Sequence, residues 1–403
     1  MRILFLTDNF PPEVNAPASR TFEHCREWVQ QGVQVTVITC APNFPQGKVY
    51  EGYKNKLYQK EVIEGITVIR VWSYITANEG FVKRILDYIS FAIMATLASL
   101  FQKFDLIIAT SPQFFTAVAG YAVSVLKRRP WVMEVRDLWP ESIRAVGALS
   151  NDRMFRMLER LELFLYKKAR QVVVVTDSFK ENLEARGIPS DKIIVIKNGV
   201  LLDQFKPQEK DLELLQSLNL EGKFVIAYLG THGMAHALDF VIRSSLRLPD
   251  NVCVLLIGDG AEKSKLLELK QALKAEQVQM LPPVPKSAIA RYISVTDVAL
   301  VNLRKSDTFK SVIPSKIFEN AAMLKPVLLG VEGESQAIIE KYGAGVCFDP
   351  ENELAFQNAL QRIMHPDNYL KFQQGCIPLA QDFNRKLLAK KMLESINTLQ
   401  LND

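Results

Sequence analysis

Short apolar runs alternate with longer amphipathic segments along the whole chain. Strand-like runs fall at Arg2–Thr7, Val33–Thr39, Thr67–Val71, Leu106–Ala109, Trp131–Val135, Val172–Thr176 and Ile193–Ile196. They resume at Phe224–Leu229, Val252–Ile257, Val298–Val301 and Pro326–Leu329. Most are near-continuous Val, Ile and Leu, the mark of strands covered on both faces. Segments such as Arg153–Ala169 and Glu262–Glu276 instead repeat at helical spacing. Strand and helix in strict alternation predict parallel, doubly wound sheets of the α/β class. The alternation restarts after the polar stretch from Asp203 to Gly222. Two Rossmann-like domains facing each other across a cleft are therefore expected, over 1–200 and 201–380. Leu354 to Leu399 reads as successive helices, and 381–403 as a C-terminal helix that can pack back on the first domain.

In an open parallel sheet, ligands bind outside the carboxyl ends of the strands. The loops that follow the strands are thus the first places to seek chemistry. After the first strand come Asp8-Asn9-Phe10-Pro11-Pro12-Glu13-Val14-Asn15-Ala16, with a helix expected to start near Ser19 or Arg20. Small residues there let backbone amides approach an anion; a proline-rich connector reads equally well. After Trp131–Val135 stand Arg136, Asp137, Leu138, Trp139, Pro140, Glu141 and Ser142. Arg136 suits a phosphate or a carboxylate, while Asp137 and Glu141 suit sugar hydroxyls or an acceptor proton. A structural ion pair is the competing reading.

In the second half, Ser315 reads as the N-cap of a helix that opens with Lys316 and Ile317. Free amides plus the Lys316 ammonium would suit a diphosphate, and Glu319 one turn on could accept from ribose hydroxyls. Gly230, Thr231 and His232 follow that half's first strand, where glycine permits close phosphate approach. Gly258-Asp259-Gly260 reads as a structural turn. Val284, after Leu281-Pro282-Pro283, could offer backbone groups to a base edge.

Charge alters the picture modestly. The net charge of +5 is concentrated in residues 1–200, which hold 26 Lys/Arg against 20 Asp/Glu. This suits an anionic membrane surface or a phosphorylated acceptor, and no nucleic acid is expected. Between Arg84 and Lys103 the sole charge is Asp87. Ile85–Phe101 reads as a packed covering helix, a helix dipping into a membrane surface, or a span. The five cysteines show no Cys-x-x-Cys pair, which fits a reducing compartment. No cleavable signal is read at the start, so a cytoplasmic protein is expected, peripheral on the inner face of the cell membrane. No Asp-x-Asp occurs, so no required metal is expected, and no cofactor.

Taken together, Phe10-Pro11-Pro12-Glu13, Arg136-Asp137-Leu138-Trp139-Pro140-Glu141-Ser142, Asn198-Gly199-Val200, Gly258-Asp259-Gly260 and Pro314-Ser315-Lys316-Ile317-Phe318-Glu319 resemble glycosyltransferase family 4, of GT-B fold. Bacterial O-antigen and capsule enzymes, N-acetylfucosaminyltransferases among them, are similar. The resemblance implies a retaining, metal-independent transfer from a nucleotide-diphosphate sugar, UDP-linked, to a polyprenyl-diphosphate-linked saccharide. It implies that Glu319 holds the ribose, Val284 the base, and Gly230 with Thr231 the diphosphate, with Asn15 and Ala16 opposite. The chain departs from the family at Ser311, where a glutamate is common. The Arg and Lys usual after Gly230 are also missing. Lys316, with Arg304 or Lys305, could substitute. Arg136 stands where the family often has His. The rival readings are a GT-B nucleotide-sugar epimerase and an inactive nucleotide-sugar or glycolipid scaffold. A nicotinamide oxidoreductase is disfavoured, since Asp8–Ser19 contains no glycine.

Overall fold

The computed structural model describes the chain except residues 45, 77–80, 112, 146–150 and 401–403, and the side chains of 81, 82, 143, 145 and 400. The last three residues of the expected C-terminal segment 381–403 therefore lie outside the described residues. The chain forms two compact units: Met1–Lys197 with Lys386–Asp403, and Asn198–Arg385.

The first unit runs β1 (Arg2–Leu6), α1 (Ala16–Gln30), β2 (Gln34–Cys40), β3 (Tyr58–Ile63), β4 (Ile66–Val71), α2 (Phe81–Leu100), β5 (Leu106–Thr110), α3 (Phe114–Lys127), β6 (Trp131–Val135), α4 (Glu141–Ala145), α5 (Asp152–Lys168), β7 (Gln171–Val174), α6 (Asp177–Ala185) and β8 (Ile193–Val195). The sheet order is β3-β4-β2-β1-β5-β6-β7-β8, parallel except for β3. Because side chains alternate faces along a strand, Ile3 and Phe5 of β1 enter one core and Leu4 and Leu6 the other. The second of these cores lies under α2, α3 and α5. Two sequence expectations need correction. The antiparallel strand β3 was not anticipated, because Tyr58–Ile63 alternates exposed and half-buried positions and has no apolar run. Helix α1 starts at Ala16 rather than near Ser19, since Asn15 caps it and Pro17 is tolerated in a first turn.

The second unit runs α7 (Leu212–Ser217), β9 (Phe224–Leu229), α8 (Leu238–Ser245), β10 (Val252–Ile257), α9 (Lys263–Leu273), β11 (Val278–Leu281), α10 (Ile289–Ser294), β12 (Val298–Asn302), α11 (Lys316–Ala322), β13 (Val327–Gly330), α12 (Glu334–Tyr342), β14 (Gly345–Cys347), α13 (Glu353–Met364) and α14 (Pro366–Asp382). Its all-parallel sheet has the order β11-β10-β9-β12-β13-β14. Each unit's first strand lies inside its sheet: β1 between β2 and β5, β9 between β10 and β12. The winding reverses at those strands, and such a reversal opens a crevice at the carboxyl ends.

The final helix, α15 (Arg385–Gln400), returns to the first unit from Lys386 onward. Its Ala389, Met392, Leu393 and Ile396 are buried beside Trp28, whose indole N–H donates to the Ala389 carbonyl at 2.8 Å.

Candidate functional site

In the second unit the expected residues gather around the loop after β9. Gly230 has a φ of 150°, in a region favouring glycine. A Cβ there would lie 2.8 Å from Lys316 Nζ. The Lys316 ammonium therefore packs directly on the Gly230 backbone, and it also lies 3.8 Å from the centre of the Tyr228 ring. The Tyr228 hydroxyl donates to the Thr231 carbonyl at 2.8 Å and pins the loop. Burial pulls Lys316 down to about 8, although the Glu319 carboxylate opposes the shift. This places a desolvated ammonium beside an exposed glycine backbone, a pairing suited to an anion.

Behind this loop the packing is tight. Gly258 has a φ of 146°, and a Cβ on it would come 1.8 Å from the Gly230 carbonyl oxygen. Lys263 Nζ donates to the carbonyls of Gly258 and Leu281, at 3.1 and 2.8 Å, and so ties the loops after β10 and β11 together. Val284 is half-buried after β11, two strands from β9. At about 4.8 Å per strand that places it roughly 10 Å from the Gly230 loop.

Three expectations about this region are corrected. Ser315 does not cap α11: its backbone is already helical (φ −60°, ψ −26°) and its side chain makes no capping bond. The amides beyond it are engaged, Ile317 N–H with the Pro314 carbonyl and Phe318 N–H with that of Ser315. The Ile317 side chain is in the core. The Lys316 side chain and the Gly230 loop therefore lie beside a helix start whose amides are engaged from Ile317 onward. His232 is fully buried rather than lining a site. Burial first, then the neighbouring Lys263, hold its imidazole down to about 4, so it is an uncharged wedge under the loop. Arg304 and Lys305 are engaged elsewhere. Arg304 bridges Asp239 and Glu351 at 3.1 Å each, and Lys305 pairs with Asp349 at 2.6 Å.

In the first unit the loops after β1, β5 and β6 converge. Asp8 accepts a hydrogen bond from the Gln113 amide, and Asn15 donates to Asn9 Oδ1 at 2.7 Å. Asn15 Oδ1 accepts from the Ala18 N–H at 2.9 Å, which leaves Ala16 as the first residue of α1. The Arg136 N–H donates to Ser111 Oγ at 2.7 Å. Asp137 is half-buried and raised by burial, against hydrogen bonds from Ser142 and the Leu138 amide. Glu141 opens α4, and its charge raises Glu162 of α5 and Arg186 after α6. Trp139 stacks on Phe114 with centroids 4.7 Å apart and holds the turn. Beneath, Glu134 and Arg20 form a buried pair at 3.0 Å, and Arg20 also donates to the Ile196 and Lys197 carbonyls.

Sequence reading passed over Asp8, Asp87, Gln113, Tyr228 and Lys263 as functional residues. Asp8 is raised by burial, then by Asp87 and Glu13, and burial lifts Asp87 to about 7. A signal existed for the aspartates: Asp8 ends the central strand's apolar run, and Asp87 is the lone charge in the run that became α2. Gln113, Tyr228 and Lys263 carry none, since only folding brings them to their partners. Among the described residues, no group of three or more His, Cys, Asp or Glu is arranged to hold a metal ion.

Residues 15–199 match the glycosyl transferase 4-like domain and residues 210–378 match glycosyl transferases group 1. The chain belongs to the glycosyltransferases. Escherichia coli K12 WcaI, named for glycosyl transfer in colanic acid biosynthesis, is 25% identical over 87% of this chain and 89% of its own. Pseudomonas aeruginosa WbjE, named a glycosyltransferase, is 25% identical over 59% of this chain and 60% of its own. Among solved structures, sucrose-phosphate synthase from Thermosynechococcus elongatus superposes with a TM-score of 0.80 at 16% identity, covering 100% of both chains. Anabaena HepE in complex with UDP-glucose superposes at 0.72 and 17% identity, covering 99% of this chain and 100% of that one. The glycosyltransferase thus has the GT-B fold expected from its motifs, made of two Rossmann-like units.

Proposed function

We propose that this glycosyltransferase moves a sugar from a UDP-sugar to a lipid-linked saccharide, with retention and without a required metal. One observation carries the reading: the Lys316 ammonium, packed over Tyr228 against the Gly230 backbone at the reversal point of the second sheet. A diphosphate laid on Gly230 and Thr231 meets that cation. Glu319 then reaches the ribose, and the backbone at Val284 meets the base. As the sugar–oxygen bond breaks, negative charge grows on the diphosphate. Lys316 stabilises that charge more than the ground state, which is what lowers a barrier. HepE, of the same fold, holds UDP-glucose, which supports the choice of nucleotide.

On the first unit, Asp137, Arg136 and Glu141 are the groups for the acceptor, with burial raising the Asp137 carboxyl above its usual range. The leaving phosphate takes the acceptor's proton in a front-face attack, so no enzymatic nucleophile is needed. The acceptor's lipid places the protein at a membrane surface. Support comes from α2, which exposes Leu86, Ile93 and Leu97, with Phe101 exposed just past its end. Together with α3 it forms an apolar groove of about 390 Å³ floored by Phe115, Val118 and Ala122. Lys83, Arg84, Lys103 and Lys127 flank these helices. Among the described residues no helix is long and apolar enough to cross a membrane.

The test is a thermal-shift titration with UDP, GDP and their sugars, since a ligand that binds only the native state raises Tm. UDP should stabilise the wild type, and Lys316→Gln and Glu319→Ala should each weaken that response about tenfold. Turnover with a UDP-sugar should survive EDTA. Unchanged melting with every nucleotide would remove the donor assignment.

A further inference from the structure

At the amino-terminal ends of β6 and β7 a concave pocket of about 870 Å³ opens between the ends of α3 and α5. Arg128, Arg129, Lys168, Arg170 and Lys192 line it, and among the described lining residues Asp191 is the single carboxylate. Cations are common at helix C-termini, where they meet unsatisfied carbonyls. That accounts for Lys192, whose Nζ donates to the Lys167 carbonyl at 2.6 Å. It does not account for Arg128 and Arg129. The end of α3 is closed by its own backbone, with Arg128 N–H on the Val125 carbonyl and Arg129 N–H on that of Ser124. The guanidiniums are not needed for capping, and both residues are exposed. Crowding is felt within the pocket: burial first, then Arg170, pull Lys192 below its usual range.

We propose that this pocket binds a phosphate ester or polyphosphate anion, at a site separate from the strands' carboxyl edges. Arg128, Arg129 and Lys168 stand together on this lining, and paired guanidiniums match tetrahedral phosphate oxygens better than a lone carboxylate. Nucleic acid is a poor occupant, because the lining aromatic, Trp131, is 2% exposed and offers no stacking face. β6 spans Trp131–Val135, so at about 3.3 Å per residue the pocket is roughly 16 Å from the carboxyl edge. Its ligand is thus not the group undergoing transfer. The inference is independent of the donor reading.

Inorganic pyrophosphate serves as the soluble probe, titrated calorimetrically into the full chain carrying Lys316→Gln, which disables the candidate donor site. In that background, Arg128→Gln with Arg170→Gln should weaken binding at least tenfold. The exposed control Lys206→Gln, on the other unit, should change it less than twofold. A second pair, Arg129→Gln with Lys168→Gln, repeats the test at separate exposed positions. Vesicles of phosphatidylglycerol in phosphatidylcholine form the other arm. Loss of vesicle binding in both pairs, without pyrophosphate binding, assigns the phosphate to a lipid headgroup. Saturable pyrophosphate binding lost in both pairs assigns a soluble ligand. If neither probe binds, or if the pairs behave like Lys206→Gln, the pocket is not a phosphate site.

Discussion

Lys316 sits in three environments at once: the face of Tyr228, the backbone of Gly230 and the field of Glu319. Burial lowers its proton affinity, so the ammonium deprotonates near pH 8 while the nucleotide site is empty. Nucleotide affinity should therefore be high below pH 8 and fall as the pH rises through it. Lys316→Arg, which keeps its charge, should flatten the pH dependence in a binding titration between pH 6.5 and 9.5. Asp87 illustrates the opposite case. Its carboxyl is lifted to about 7 by burial, so the native state favours the protonated form. That contribution is complete below the ordinary carboxylate range, near pH 4, and is lost as pH rises through 7. Asp87→Asn should gain about 1–2 kcal/mol over wild type at pH 8, after allowance for partial solvent screening, and little at pH 5. Urea unfolding at the two pH values measures the difference.

The donor loop is an element-scale construction, because no single residue holds it. The turns after β9 and β10 touch through Gly230 and Gly258, and buried His232 fills the space behind them. Gly258→Ala drives a methyl group into the Gly230 carbonyl at a position whose φ is already unfavourable for alanine. A loss of about 2–3 kcal/mol in stability and a nucleotide affinity reduced at least tenfold are expected. Differential scanning calorimetry and a UDP titration check both. Gly230→Ala shares the strain of a positive φ but crowds only the flexible end of Lys316, so it should cost less stability than Gly258→Ala while still lowering nucleotide affinity. The same scale explains where sequence reading failed. A Pro-Ser pair ahead of a helix reads as a cap, yet Ser315 turns helical one residue early, and its hydroxyl is then aimed wrongly for capping. Arg304 and Lys305 read as free cations until Asp239, Asp349 and Glu351 arrive from distant parts of the chain.

At the scale of the molecule, the chain leaves the first unit after Lys197 and rejoins it after Arg385. Helix α15 is therefore part of the first unit's core despite a separation of more than 180 residues in sequence. Burying Met392, Leu393 and Ile396 contributes about 2 kcal/mol each, less whatever the unfolded chain already buries. Deleting residues 386–403 should lower the first unit's thermal transition by well over 10 °C and leave the second unit's transition nearly in place. Trp28→Ala, which removes the indole that bonds Ala389, should act in the same direction and cost about 3–4 kcal/mol. Two-transition calorimetry separates these outcomes.

The sequence alone determined the α/β class, the strands of both sheets apart from short or half-exposed ones, the place of the break, and the motifs of the family. Those properties live in local periodicity and in contiguous runs, which one chain segment displays by itself. Tertiary structure alone decided which cation stands free at Gly230, that His232 is a neutral wedge, that Asp8 and Asp87 share a field, and that basic residues from α3, α5 and the approaches to β7 and β8 converge in one pocket. Each depends on groups far apart in sequence meeting at short range, where burial and Coulomb energy are set by the final geometry rather than by neighbours along the chain.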